Sequence, residues 1–389
     1  MARKRQRSAS PPASTSPSSP LPRTRLQNRV RRMRQAHQDE RQVPRAQSIF
    51  SQGTELSDET QATNLTTAYD RISKYNPRNR EYDHLVKRSL EAFLEYLPVE
   101  GRDEVVKDIL KTEDDDDIYK VFSNYYTGLR TRMRSRSRPP SITSSPNPKR
   151  ALHAEAISTM DAKPAAREKK FREDLLKRDN YCCVATGDMD KMHWEQLGCP
   201  PHVETWAPTE EAHIIPFSYA SWDLNQSDPP PQFYTAWEVL WRCFPGVRAM
   251  NFDWDHINDL LNGITLTDWM HKRFGAFQLA FKATNIENLY EIKTFSIPEK
   301  HKKLIAATVE FKNYDKDNDR ALPSAILLDC HFRLAEILNA SGMAEAFDLD
   351  YRRWEDLKGS TCGQLRTDGG TDVGEILWAI LDGWGYAVG

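Results

Sequence analysis

The chain has 389 residues, 39% of them hydrophobic and 28% charged, with a mean hydropathy of −0.70. No apolar run reaches the ~18–20 residues a bilayer-spanning helix needs. Met1-Ala2-Arg3-Lys4-Arg5 leads into Ser and Pro rather than an apolar stretch, so neither a membrane span nor a secretory leader is expected. The six cysteines, at 182, 183, 199, 243, 330 and 362, follow no repeating spacing, which predicts reduced thiols in an intracellular protein. The net charge of −2 hides an asymmetry: residues 1–45 carry twelve Lys/Arg against two Asp/Glu, so the rest sums to −12. A basic tail on an acidic body suits nuclear import or contact with a polyanion, and equally a solvated tail without a partner. The expected location is nuclear or cytoplasmic.

Residues 1–60 read as a disordered basic tail, because Ser8 to Pro22 is almost only Ser, Pro, Ala and Thr. Residues 61–130 read as a helical module. Tyr82, Leu85, Val86, Leu90, Phe93, Leu94 and Leu97 recur at helical spacing; a shorter segment carries Val105, Val106, Ile109 and Leu110. The run Asp114 to Asp117 suits the start of a third helix better than a metal site. Residues 131–164, with alternating arginines followed by Pro139-Pro140 and Ser-Pro-Asn-Pro-Lys-Arg, read as a flexible basic linker. Seven of the ten tryptophans lie between Trp194 and Trp269, which places the main core within 165–300. Residues 301–357 read as a helical extension, and 358–389 as a Gly-rich tail with one short helix.

Three pieces carry chemistry. Asn180 to Gly187 follows the helical stretch Arg167 to Asp179; Glu210-Glu211-Ala212-His213-Ile214-Ile215-Pro216 is β-prone and holds one histidine. Asn262-Gly263-Ile264-Thr265-Leu266 is a strand that enters a helix at Thr267, its N-cap, and the helix presents His271. The order is strand with His, Asn with strand, helix with His: a ββα unit.

The patterns Ala-His-Ile-x-Pro, Asn-Gly-Ile-x-Leu and His-x-x-Phe resemble the HNH endonucleases of the ββα-metal fold, and the Cys-x-x-Thr-Gly entry resembles the branch common in fungal proteins. The resemblance implies an α+β fold, with the ββα-metal unit embedded in helices. It implies a metal-dependent endonuclease that hydrolyses phosphodiester bonds of nucleic acid, DNA ahead of RNA. His213 would be the general base, Asn262 the residue whose amide pins the base's loop, and His271 a ligand of one divalent ion, Mg²⁺ or Mn²⁺. Ala212 and Gly275 stand where relatives carry metal-binding groups. Asp268, one turn before His271, and Glu211, on the strand face of His213, are the candidate substitutes, so the ion is expected to be weakly held. Residues 165–285 balance to −5, so phosphate contact falls to the basic tail, the linker or a patch such as Lys272-Arg273. The competing reading is a catalytically degenerate HNH domain that binds nucleic acid or protein, with the helical segments as the surface for a protein partner.

Overall fold

Four helices open the part of the chain that the computed structural model describes, which is residues 58–131 and 143–346 apart from 161, 164, 167 and 223–227. The basic tail as far as residue 57, most of the alternating arginines and the Gly-rich end lie outside the described residues. The helices are Asp58–Ser73 (α1), Val86–Tyr96 (α2), Val99–Leu110 (α3) and Asp115–Tyr125 (α4). In α2 the stripe Val86, Leu90, Phe93 and Leu94 is buried, and Val105, Val106 and Ile109 do the same in α3. Such a stripe holds a short helix in place by packing, since isolated helices of this length are marginal. Asp114 caps α4, its carboxylate accepting from the Asp117 N–H at 3.0 Å. The rest of the aspartate run is taken up by cations: Asp115 by Arg71 at 3.0 Å, Asp116 by Arg78 and Arg80 at 2.8 Å, Asp117 by Lys120 at 3.0 Å.

Residues 148–158, expected to lie in a linker, instead form a helix, Pro148–Ser158 (α5). Asn147 caps it and Pro148 occupies its first turn, where a missing N–H costs nothing. Its Arg150 is buried and donates to Asp108 on α3 at 2.9 Å. Asp108 also accepts from Arg242 at 2.5 Å, Asn147 at 2.6 Å and Tyr125 at 2.7 Å. Burial pushes the Asp108 carboxyl up, but Arg242, Arg150 and the Asn147 bond outweigh it and hold it below the usual carboxylate range. A linker-like composition concealed this helix because its anchor is one arginine with a partner 42 residues away.

The remaining elements are Lys169–Arg178 (α6), Met189–Asp190 (β1), Lys191–Gln196 (α7), Trp206–Ala207 (β2), Thr209–His213 (β3), Pro231–Cys243 (α8) and Pro245–Ala249 (α9). They continue as Gly263–Thr267 (β4), Asp268–Gly275 (α10), Leu279–Ala283 (β5), Leu289–Thr294 (β6), Glu299–Lys302 (α11), Thr308–Glu310 (β7) and Ala325–Ser341 (α12). The sheets are small: β1 pairs parallel with β2, β3 antiparallel with β4, and β5, β6 and β7 form an antiparallel meander. The class is mixed helix and small sheet. Helix α12 packs against both α2 and β5, and α8 against α3 and α5, so the helices wrap the strands in one unit. Trp222, Trp237, Trp241 and Trp254 are buried in the core, but Trp206 is 42% exposed and stacks on Trp194 with ring centroids 4.6 Å apart. Of the tryptophans in that region, those from Trp222 to Trp254 are buried in the core, and Trp269 is partly buried against it. No helix among the described residues is long and apolar enough to cross a membrane.

Candidate functional site

The strand pair sets the frame. In the β3–β4 register Thr209 faces Thr267, Ala212 faces Ile264 and His213 faces Gly263. Helix α6 lies against the pair, and a Cβ on Gly263 would come within 2.5 Å of the Phe171 ring, so only glycine admits that helix. At the end of α6 the buried Arg178 donates to the carbonyls of Leu260 (2.8 Å), Gly263 (2.8 Å) and Ala321 (3.2 Å). Arg178 also pairs with Asp179 at 2.7 Å, and Asp179 accepts from the Thr265 N–H at 3.0 Å. This pair fixes where β4 starts, and nothing in the motif announced it.

Asn262 is fully buried at the mouth of β4. Its Oδ1 accepts from the Ile215 N–H at 2.7 Å, and its Nδ2 donates to the carbonyls of Ile215 at 3.0 Å and Ile257 at 2.9 Å. One side chain thus ties the loop after His213 to the turn before Asn258. His213 ends β3 with its ring stacked on Phe171, centroids 4.6 Å apart, and tilted against Phe217 at 5.6 Å. Its Nε2 lies 3.1 Å from Asn258 Oδ1.

Helix α10 follows β4 directly. Thr267 stands at the N-cap position without a side-chain cap bond, and Met270 and Phe274 anchor the helix by burial. His271, between them, places Nδ1 2.5 Å from Glu210 Oε2, with the two side chains 34% and 47% exposed. Strand alternation accounts for this partner: Glu210 shares a face with Ala212, while Glu211 shares one with His213. Glu211 lies 3.5 Å from Arg172 on α6. The acid that meets His271 is therefore Glu210, not the expected Glu211, and counting in twos back from Ala212 would have found it. Asp268 pairs with Lys272 at 2.9 Å, one helical turn on. A Cβ on Gly275 would meet no heavy atom within 4 Å. Among the described residues no three His, Cys, Asp or Glu side chains gather as a metal cage would need. Cys183 is buried with its thiol 3.9 Å from Thr267 Oγ1.

A hairpin-like strand pair feeding a helix, with a histidine at the strand end, an asparagine beneath it and a histidine on the helix, defines the class. Residues 183–282 match the model of a family described as HNH endonuclease. His213, Asn262 and His271 all fall inside the match. No curated protein and no solved structure matches the chain.

Proposed function

We propose that the domain hydrolyses phosphodiester bonds of nucleic acid, DNA ahead of RNA, with His213 as general base. The observation that carries this reading is the Asn262 amide, which spends all three of its bonds on the backbone around His213 and Asn258. An imidazole held in a fixed pose and able to take a proton near neutral pH is what water activation requires. His213 would remove the proton from the attacking water as the new P–O bond forms and the bond to the leaving oxygen breaks.

The residues present offer a divalent ion a single protein ligand, which would hold it weakly. With Nδ1 of His271 engaged by Glu210, its Nε2 is the nitrogen left to bind an ion, Mg²⁺ or Mn²⁺. Glu210 then orients the ligand, and Asp268 would join only by releasing Lys272. When bound, such an ion stabilises charge on the phosphate and on the leaving oxygen. Ala212 and Gly275 favour a second reading, a degenerate domain that only binds.

Cleavage of plasmid and of single-stranded oligonucleotides in Mg²⁺, Mn²⁺ or EDTA, beside His213→Ala, decides between them. The expected result is metal-dependent cleavage reduced by ~10²-fold or more in the variant, the usual contribution of a positioned base. Nucleic-acid binding without cleavage in any metal would establish the degenerate reading.

A further inference from the structure

Asn258 stands four residues before Asn262, beside Ile257, whose carbonyl Asn262 holds. We infer that Asn258 is a positioning residue that fixes which nitrogen of His213 carries the proton, leaving the lone pair on Nδ1. This rests on the reading of His213 as the base.

The assignment follows from what each atom is able to do. Asn258 lies 2.9 Å from the Ala166 carbonyl oxygen. A peptide carbonyl only accepts, so the amide atom facing it is the NH₂ group. Oδ1 is then the atom that faces His213, at 3.1 Å from Nε2. Two acceptors do not sit at that separation, so Nε2 carries hydrogen and donates it. In the neutral ring the lone pair is then on Nδ1, the nitrogen that would take the proton from water.

The stack on Phe171 fixes the plane of the imidazole but is indifferent to a half-turn of the ring, which would exchange the two edges. The Asn258 bond distinguishes them. Both ends of the device are anchored. The Ala165 N–H, beside Ala166, donates to the Ala220 carbonyl at 2.8 Å. The carbonyl of Ile257, beside Asn258, accepts from Asn262 at 2.9 Å. Asn262 therefore sets the distance between base and positioner, and Asn258 sets the base's tautomer.

The test is imidazole ¹⁵N spectroscopy of the full chain with labelled histidine, His213 being assigned by its loss in His213→Gln. In the neutral ring of the wild type, Nε2 is expected at a protonated-type shift and Nδ1 at a lone-pair-type shift. In Asn258→Ala the two should move toward the average of exchanging tautomers, whereas Asn258→Asp keeps an acceptor and should keep the Nε2–H form. An Nδ1–H tautomer in the wild type overturns the proposal, as does an Asn258→Ala spectrum identical to the wild type. Neither readout needs cleavage, so an inactive wild type would remove the nuclease reading and leave the tautomer result standing. Where cleavage is seen, Asn258→Ala should lower it by about 10–100-fold, the scale for groups that orient a functional histidine, with Asn258→Asp recovering part of the loss.

Discussion

The two ends of the β3–β4 pair are built on different principles. At the base end the anchoring group is buried: Asn262 is 0% exposed, and its three bonds fix Ile215 and Ile257 around the half-buried His213 and Asn258. At the helix end the polar groups are half-exposed and borrow their partners from the surface, His271 from Glu210 and Asp268 from Lys272. A satisfied network in a low-dielectric interior is rigid and costly to break, whereas an exposed ion pair contributes ~0–1 kcal/mol. The fold therefore dictates the base's pose but only loosely arranges the groups that would meet a metal.

The sharpest way to break this contrast is to remove one group from each end. Asn262→Ala leaves the Ile215 N–H and the carbonyls of Ile215 and Ile257 without their partner in a buried site. At ~1–3 kcal/mol for each orphaned group, the variant should lose at least about 3 kcal/mol in denaturant unfolding. Glu210→Gln should lose less than about 1 kcal/mol, the scale of an exposed pair. Equal losses would sink the contrast.

A smaller effect couples acid to the helix end. His331 on α12 is stacked between Phe274 at 3.8 Å and Phe277 at 4.7 Å, and its Nε2–H donates to the Phe274 carbonyl at 3.2 Å. Burial pushes its pKa down from 6.5 to about 3, against the smaller upward pull of that carbonyl. The unfolded chain thus binds a proton below about pH 6.5 that the folded chain refuses until about pH 3. Stability falls as pH falls through that window, by about 1.4 kcal/mol per pH unit. Unfolding of the wild type and His331→Gln at pH 7, 6 and 5 should show the wild type losing about 2 kcal/mol more by pH 5. Parallel pH dependences would show that His331 takes its proton in the fold.

Much of the frame was legible because it depends on short-range pattern. The helical stripes of α2 and α3, the Asp114 cap and the entry from β4 into α10 follow from spacing and residue type. So did His213, Asn262 and His271, which fall in register only when all three pieces are taken together. What stayed hidden depends on partners far apart in the chain. Arg150 in an apparent linker reaches Asp108, Arg178 reaches the carbonyls of Leu260 and Gly263, and Asn258 reaches Ala166. No composition window contains both members of such a pair. Glu210 is a different kind of miss, since strand alternation already separated it from Glu211.

The smallest structural perturbation offers the most informative gain. Gly275 lies one helical turn after His271, on the same side of α10. A side chain there meets open space, so Gly275→Asp should fold as the wild type does. Its better helix propensity and its unfavourable position at a helix C-terminus roughly cancel, to within about 0.5 kcal/mol. A carboxylate one turn from the free Nε2 of His271 would add a second protein donor for a divalent ion. Mn²⁺ affinity should rise by about tenfold or more, the scale on which single groups near a metal change its binding. Electron paramagnetic resonance of Mn²⁺ titrated into both proteins reads this without any cleavage assay. Tighter binding accompanied by new cleavage would mean that the base end was competent all along and only the helix end was lacking. Tighter binding without cleavage would mean that His213, however firmly held, does not face the phosphate. Unchanged binding would show that an ion does not sit on this face of α10, and His271 would lose its role as ligand.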